Sequence, residues 1–172
     1  IKQCREAFSV LIYPIIRPRG GDFLYTEEEF SIMLNEVKLC KELGCDGVVI
    51  GMLNRDGRID TARSAKLVEA AYPMGVTFHR AFDRCLDPFE AMEQLVEMGC
   101  ERILTSGQLP TVSEGADLIA ELNTAGVTVV VAAGNETGRA VGEPANCAGA
   151  IAVAGLRHAG SKVGYSNLGP EV

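Results

Sequence analysis

Short apolar runs alternate along this chain with longer stretches in which apolar residues recur every three or four positions. The runs are residues 10–16, 47–50, 76–79, 102–105, 127–132 and 151–154. They return about every 25–35 residues, the size of a βαβ unit. Most are apolar without interruption. That predicts strands covered on both faces, hence a mostly parallel β-sheet of α/β class, built from successive βα units. The stretches between them carry helix signals. Thr26-Glu27-Glu28-Glu29 and Thr111-Val112-Ser113-Glu114 read as capping boxes, Asp87-Pro88 as a cap followed by proline at the first helical position, and Asp60 as a cap for residues 61–71. Gly44, Gly75, Gly99 and Gly126 read as stops. The expected buried stripes are Phe30, Met33, Leu34, Val37 and Leu39, then Leu67, Val68 and Ala71, then Met92, Leu95 and Val96, then Leu118, Ile119 and Leu122.

The 172 residues suit one domain, 1–172. A texture change near residue 126, where Gly, Pro and Asn become frequent, divides it into a βα segment, 1–125, and a final segment, 126–172, packed on the same sheet. Six strands are too few for an eight-stranded barrel. An open sheet or a partial (βα) barrel is expected, with exposed edges that favour a homodimer. The abrupt start at Ile1 reads as a cut from something longer.

Net charge is −7, and an acidic surface repels phosphate backbones, so nucleic acid is not an expected partner. No apolar run reaches the roughly 18–20 residues of a membrane span. Six cysteines, with no Cys-x-x-Cys pair, read as reduced thiols of a cytoplasmic protein. Cys40 and Cys45 straddle a helix end and a strand start and are expected to diverge.

In parallel β/α folds, chemistry gathers at the carboxyl ends of strands. Arg17-Pro18-Arg19-Gly20-Gly21-Asp22 there offers two guanidinium groups and free N–H donors, an anion cradle. Phe78-His79-Arg80-Ala81-Phe82-Asp83 and Thr105-Ser106-Gly107 follow two later strands. Alternation puts Thr77 and His79 on one side and Phe78 and Arg80 on the other. His79 is therefore the interior candidate, and Arg80 is expected to pair with Asp83. The ligand-binding candidates are Arg17, Arg19, His79, Arg80, Asp83 and Ser106, and the ligand expected is a small anion. No metal site is assigned from the residues, and no catalytic residue.

The motifs Ile16-Arg17-Pro18-Arg19-Gly20-Gly21-Asp22-Phe23, Val76-Thr77-Phe78-His79-Arg80-Ala81-Phe82-Asp83 and Arg102-Ile103-Leu104-Thr105-Ser106-Gly107 resemble the CutC family in order and spacing over residues 8–125. The resemblance implies a TIM barrel fragment and a part in cytosolic copper homeostasis. Two earlier strands of that family, with the cysteines proposed for copper binding, have no counterpart here. From residue 126, Val129-Val130-Val131-Ala132-Ala133-Gly134-Asn135-Glu136 and Tyr165-Ser166-Asn167-Leu168-Gly169-Pro170 resemble a subtilisin-like serine protease. Asn135 would be a vestigial oxyanion-hole asparagine, with no nucleophile or triad motif to serve. The expectation is a chimera of the two families without intact catalytic machinery, so leaning away from an enzyme, with CutC-like copper or anion binding as what it retains. A functional CutC-like protein and a structural or interaction module are the alternatives.

Overall fold

The structure is a computed structural model that describes residues 1–7, 9–125, 129–132 and 151–153. It falls into two compact units, Ile1–Arg102 and Ile103–Val172. The first holds α1 (Lys2–Ala7), α2 (Glu27–Glu42), β1 (Gly47–Ile50), α3 (Thr61–Ala71), β2 (Gly75–Phe78), a 3-10 turn (Phe82–Arg84) and α4 (Pro88–Met98). β3 (Arg102–Leu104) starts on the last residue of the first unit, and the second continues through α5 (Ala116–Thr124), β4 (Val129–Ala132) and β5 (Ile151–Val153).

The strands pair in parallel, as their uninterrupted apolar runs require. In the first unit Val48 lies opposite Val76 and Ile50 opposite Phe78. In the second, Ile103 lies opposite Val129, and Val130 opposite Ile151. The first predicted strand, residues 10–16, forms only a bridge at Ile15 to Val49. Its backbone still runs beside β1, with Val49 N–H donating to Pro14 O and Ile16 N–H to Val49 O, both at 2.8 Å. Pro14 has no N–H to return a bond, so the ladder stays broken.

Packing more than capping holds the helices. The Thr26–Glu29 box on α2 is complete in both directions and contributes about 1 kcal/mol. The same helix buries Phe30, Met33, Val37 and Cys40, at about 1.5–3 kcal/mol for each large apolar side chain. Leu39, expected in that stripe, is half exposed: it lies two residues from Val37, off the face, and Cys40 takes the i+3 place. Val96 is likewise exposed, one step past Leu95. Asp60 and Asp87 cap α3 and α4 as expected. Thr111 and Glu114 bond reciprocally, but in the turn before α5, whose cap is Gly115. Gly44 and Gly99 follow helices as predicted stops, Gly75 is instead the first residue of β2, and Gly126 lies outside the described residues.

The loops that follow β1 and β2 are joined. Leu86 N–H donates to Gly57 O at 2.9 Å. Arg58 Nη1 reaches both carboxylate oxygens of Glu90, at 2.7 and 2.6 Å.

Candidate functional site

Three connections leave the carboxyl ends of neighbouring extended segments in the first unit. They are residues 17–24 after the broken strand, 51–57 after β1 and 79–84 after β2. Together they line a cavity of about 740 Å³. Arg17, Arg55, Arg80 and Arg84 contribute four guanidinium groups, Asp22 and Asp83 two carboxylates, and Phe23, Leu24 and Leu53 the apolar part.

Both carboxylates are already engaged. Asp83 accepts from Arg80 Nε at 2.6 Å, the pair expected from the sequence. Asp22 accepts from Arg19 at 2.9 Å, which holds its carboxyl below the usual range. Among the described residues, Arg17, Arg55 and Arg84 form no ion pair. Arg17 donates to Gly21 O at 2.9 Å and lies over the Phe23 ring, 4.7 Å from its centroid. A loop carbonyl and an aromatic face thus orient Arg17 without neutralising it.

Arg19 is placed differently. Its Nε donates to Glu29 at 2.5 Å and its Nη2 to Leu24 O at 2.7 Å. It ties the loop to the start of α2 and is not among the cavity-lining residues. Glu29 is held below the usual carboxylate range by the Thr26 N–H first and Arg19 second.

His79 is 2% exposed, on the same inward side as buried Thr77. Its Nδ1 accepts from Ala81 N–H at 3.1 Å, so the ring proton sits on Nε2. That Nε2 is buried and has no hydrogen-bond partner among the described residues. Burial, and then the nearby Arg17 charge, push the His79 pKa down to about 4, so the imidazole is neutral at physiological pH. Its ring centroid lies 5.1 Å from that of Phe23, which therefore touches both Arg17 and His79. Gly51 makes room for the imidazole: a Cβ at that position would overlap Cε1 and Nδ1 of His79. His79 supports the cavity from beneath Phe23 and is not among its lining residues.

Ser106 belongs to the second unit, where its hydroxyl donates to Leu109 O at 2.6 Å. Asn135 lies outside the described residues. Arg55, Arg84 and Gly57 line the cavity but carried no weight in the sequence reading. The available signals were the Asn54-Arg55-Asp56-Gly57 turn at the carboxyl end of β1, and Arg84 four residues after Arg80. Among the described residues no three His, Cys, Asp or Glu side chains group to hold a metal ion.

The model of the CutC family matches residues 1–159. The chain belongs to the CutC family. It is 52% identical over 130 residues to a CutC family protein of Klebsiella pneumoniae, covering 76% of this chain and 53% of that protein. A CutC family protein of Parabacteroides distasonis is 61% identical over 108 residues, covering 63% of this chain and 44% of its own length. The chain therefore spans about half the length of these curated relatives. The crystal structure of a candidate copper homeostasis protein CutC of Streptococcus agalactiae superposes with a TM-score of 0.66 at 32% identity, covering 69% of this chain and 60% of that one. The CutC match runs past residue 126, where the sequence suggested a seam, and the comparisons lend no support to a fused protease piece. The chimeric expectation is corrected accordingly: strand-rich α/β segments share short apolar and Gly-Asn patterns, and such patterns alone did not distinguish the families.

Proposed function

We propose that this chain acts in copper homeostasis as a CutC-type protein, and that the ligand of its strand-end cavity is a small anion. The family match supports the first part over a chimera without activity. The crystal structure to which the chain is similar bears the name of a copper homeostasis protein. The second part rests on one observation: Arg17, Arg55 and Arg84 line the cavity without an ion-pair partner among the described residues. Three uncompensated guanidinium groups repel a copper ion and favour a phosphate or carboxylate group. The chain as a whole is acidic, so the local charge is a contrast, not a reflection of composition. A cytoplasmic setting fits the buried free thiols of Cys40, Cys45 and Cys85. No helix among the described residues is long and apolar enough to cross a membrane.

Titration calorimetry of the full chain with inorganic phosphate and with citrate tests the anion reading. Arg17→Ala and Arg84→Ala are each expected to weaken binding about tenfold, the scale of one charged hydrogen bond. Arg19→Ala leaves it nearly unchanged. Equal affinity in the wild type and in an Arg17→Ala/Arg84→Ala double variant would refute the anion site. Failure of the chain to restore copper tolerance to cells lacking their own CutC would refute the copper role.

A further inference from the structure

The imidazole of His79 holds a donor that the arginine cavity leaves unused. Nδ1 is taken by Ala81 N–H, so the proton on Nε2 is what the ring can still offer. That nitrogen is buried without a hydrogen-bond partner among the described residues. A desolvated N–H left unpaired costs the fold, so an outside acceptor that reaches it gains what the chain forgoes.

The sheet sets this donor beside Arg17. Ile15 lies opposite Val49, and Val49 opposite Thr77. Two residues on, along the same side, the row reads Arg17, Gly51, His79. The ladder still reaches its last member, since His79 N–H donates to Ile50 O at 2.7 Å. The middle member has no side chain, and the imidazole takes that place: Nδ1 and Cε1 of His79 lie where a Gly51 Cβ would stand. The ring thus leans from β2 across the end of β1, toward the segment that carries Arg17, with Nε2 at its far end. Phe23 fills the same gap, its ring centroid 5.1 Å from that of the imidazole and 4.7 Å from Arg17 Cζ. Phe23 also lines the cavity. Its backbone is tied, with Leu53 N–H donating to Phe23 O at 2.9 Å. Uncovering Nε2 therefore needs only the phenyl to turn on its own side-chain torsions.

Building on the anion reading above, we propose that His79 Nε2–H is the specificity-determining donor of the cavity and that the ligand is an oxo acid, a small carboxylate whose keto oxygen accepts from Nε2 while its charge rests on Arg17. Burial keeps the imidazole neutral, so the group it meets is an uncharged oxygen. With Nδ1 occupied, the ring has no acceptor to give. A hydroxyl there would find no partner on the imidazole for its own proton, whereas a keto oxygen only accepts. Arg55 and Arg84 leave positive charge for a second carboxylate. No covalent bond is made or broken.

Titration calorimetry of the full chain with 2-oxoglutarate and glutarate, which differ by that one oxygen, tests the assignment. The wild type is expected to bind 2-oxoglutarate about tenfold more tightly, the scale of one hydrogen bond. 2-Hydroxyglutarate is expected to fall with glutarate; a hydroxy acid held as tightly as the oxo acid overturns the choice of a keto oxygen. His79→Phe keeps a ring against Phe23 and removes the donor. It is expected to lose the preference while holding glutarate as the wild type does. A wild type that takes both acids equally, or a variant that keeps the preference, overturns the proposal. Nitrogen-15 and proton NMR of the wild-type imidazole needs no variant to fold. 2-Oxoglutarate is expected to move the Nε2 proton downfield, and glutarate to leave it in place. An unmoved Nε2 proton at saturating 2-oxoglutarate overturns the role of His79. Phosphate bound through Arg17 and Arg84 with no keto preference refutes only this inference. Absence of binding by phosphate and by both acids refutes the anion cavity and the inference with it.

Discussion

His79 offers a stability measurement that the structure fixes in sign and size. The imidazole is buried, neutral and titrates near 4, against 6.5 for an ordinary histidine. As pH falls through 6.5 the unfolded chain takes up this proton and the folded chain does not. The unfolded state then binds more protons, so stability drops with falling pH. The loss runs from about pH 6.5 down to about pH 4 and then stops, because both states are protonated. At 1.36 kcal/mol per pH unit, the loss between pH 7.5 and pH 5 is about 2 kcal/mol, and the full loss is about 3 kcal/mol. Carboxylates add a pH dependence of their own, so the quantity to measure is a difference. His79→Asn places an amide oxygen where Nδ1 accepts the Ala81 N–H and cannot titrate. Urea unfolding of both proteins across this range is expected to show the wild type losing about 2 kcal/mol more than the variant between pH 7.5 and 5. Proton NMR supplies a second reading, since the chain has only two histidines. Curves that stay parallel, or a His79 resonance titrating near 6.5, would refute the account of the imidazole as a desolvated support for Phe23.

Gly51→Ala drives a methyl into the His79 ring and is expected to destabilise by about 1–3 kcal/mol, read by urea unfolding. The loss shrinks in a His79→Ala background, which removes the ring atoms the methyl would meet, and strict additivity of the two changes would deny the contact. Thr26→Ala removes the side-chain half of the α2 capping box and costs about 1 kcal/mol by the same measure. Met33→Ala empties a fully buried position at about 2–5 kcal/mol, whereas Leu39→Ala, on the exposed side of the same helix, stays within about 0.5 kcal/mol.

Much of this was legible in the sequence, for identifiable reasons. Residues 47–50 and 76–79 announced themselves because covered parallel strands are apolar on both faces, and the observed strands fall within one residue of them. Alternation placed His79 inside and Arg80 against Asp83. Caps at Asp60, Asp87 and Thr26 are local devices and so are readable locally. What failed depended on geometry beyond the immediate neighbours. Cys45, expected to diverge from Cys40, is turned back toward it by the left-handed Gly44, so that its N–H donates to Cys40 O. Arg19 and Arg17 are two residues apart in one motif, yet one meets Glu29 of α2 and the other the Phe23 ring. Arg55 and Arg84 gain meaning only because two separate loops face the same space.

The bond from Leu86 N–H to Gly57 O and the forked grip of Arg58 on Glu90 make one mechanical body of two loops distant in sequence. Arg55 belongs to one of those loops and Arg84 follows on the other. For the anion proposed above, a change at Glu90, on the outer helix and away from the cavity lining, is therefore expected to alter the spacing of two charges at once.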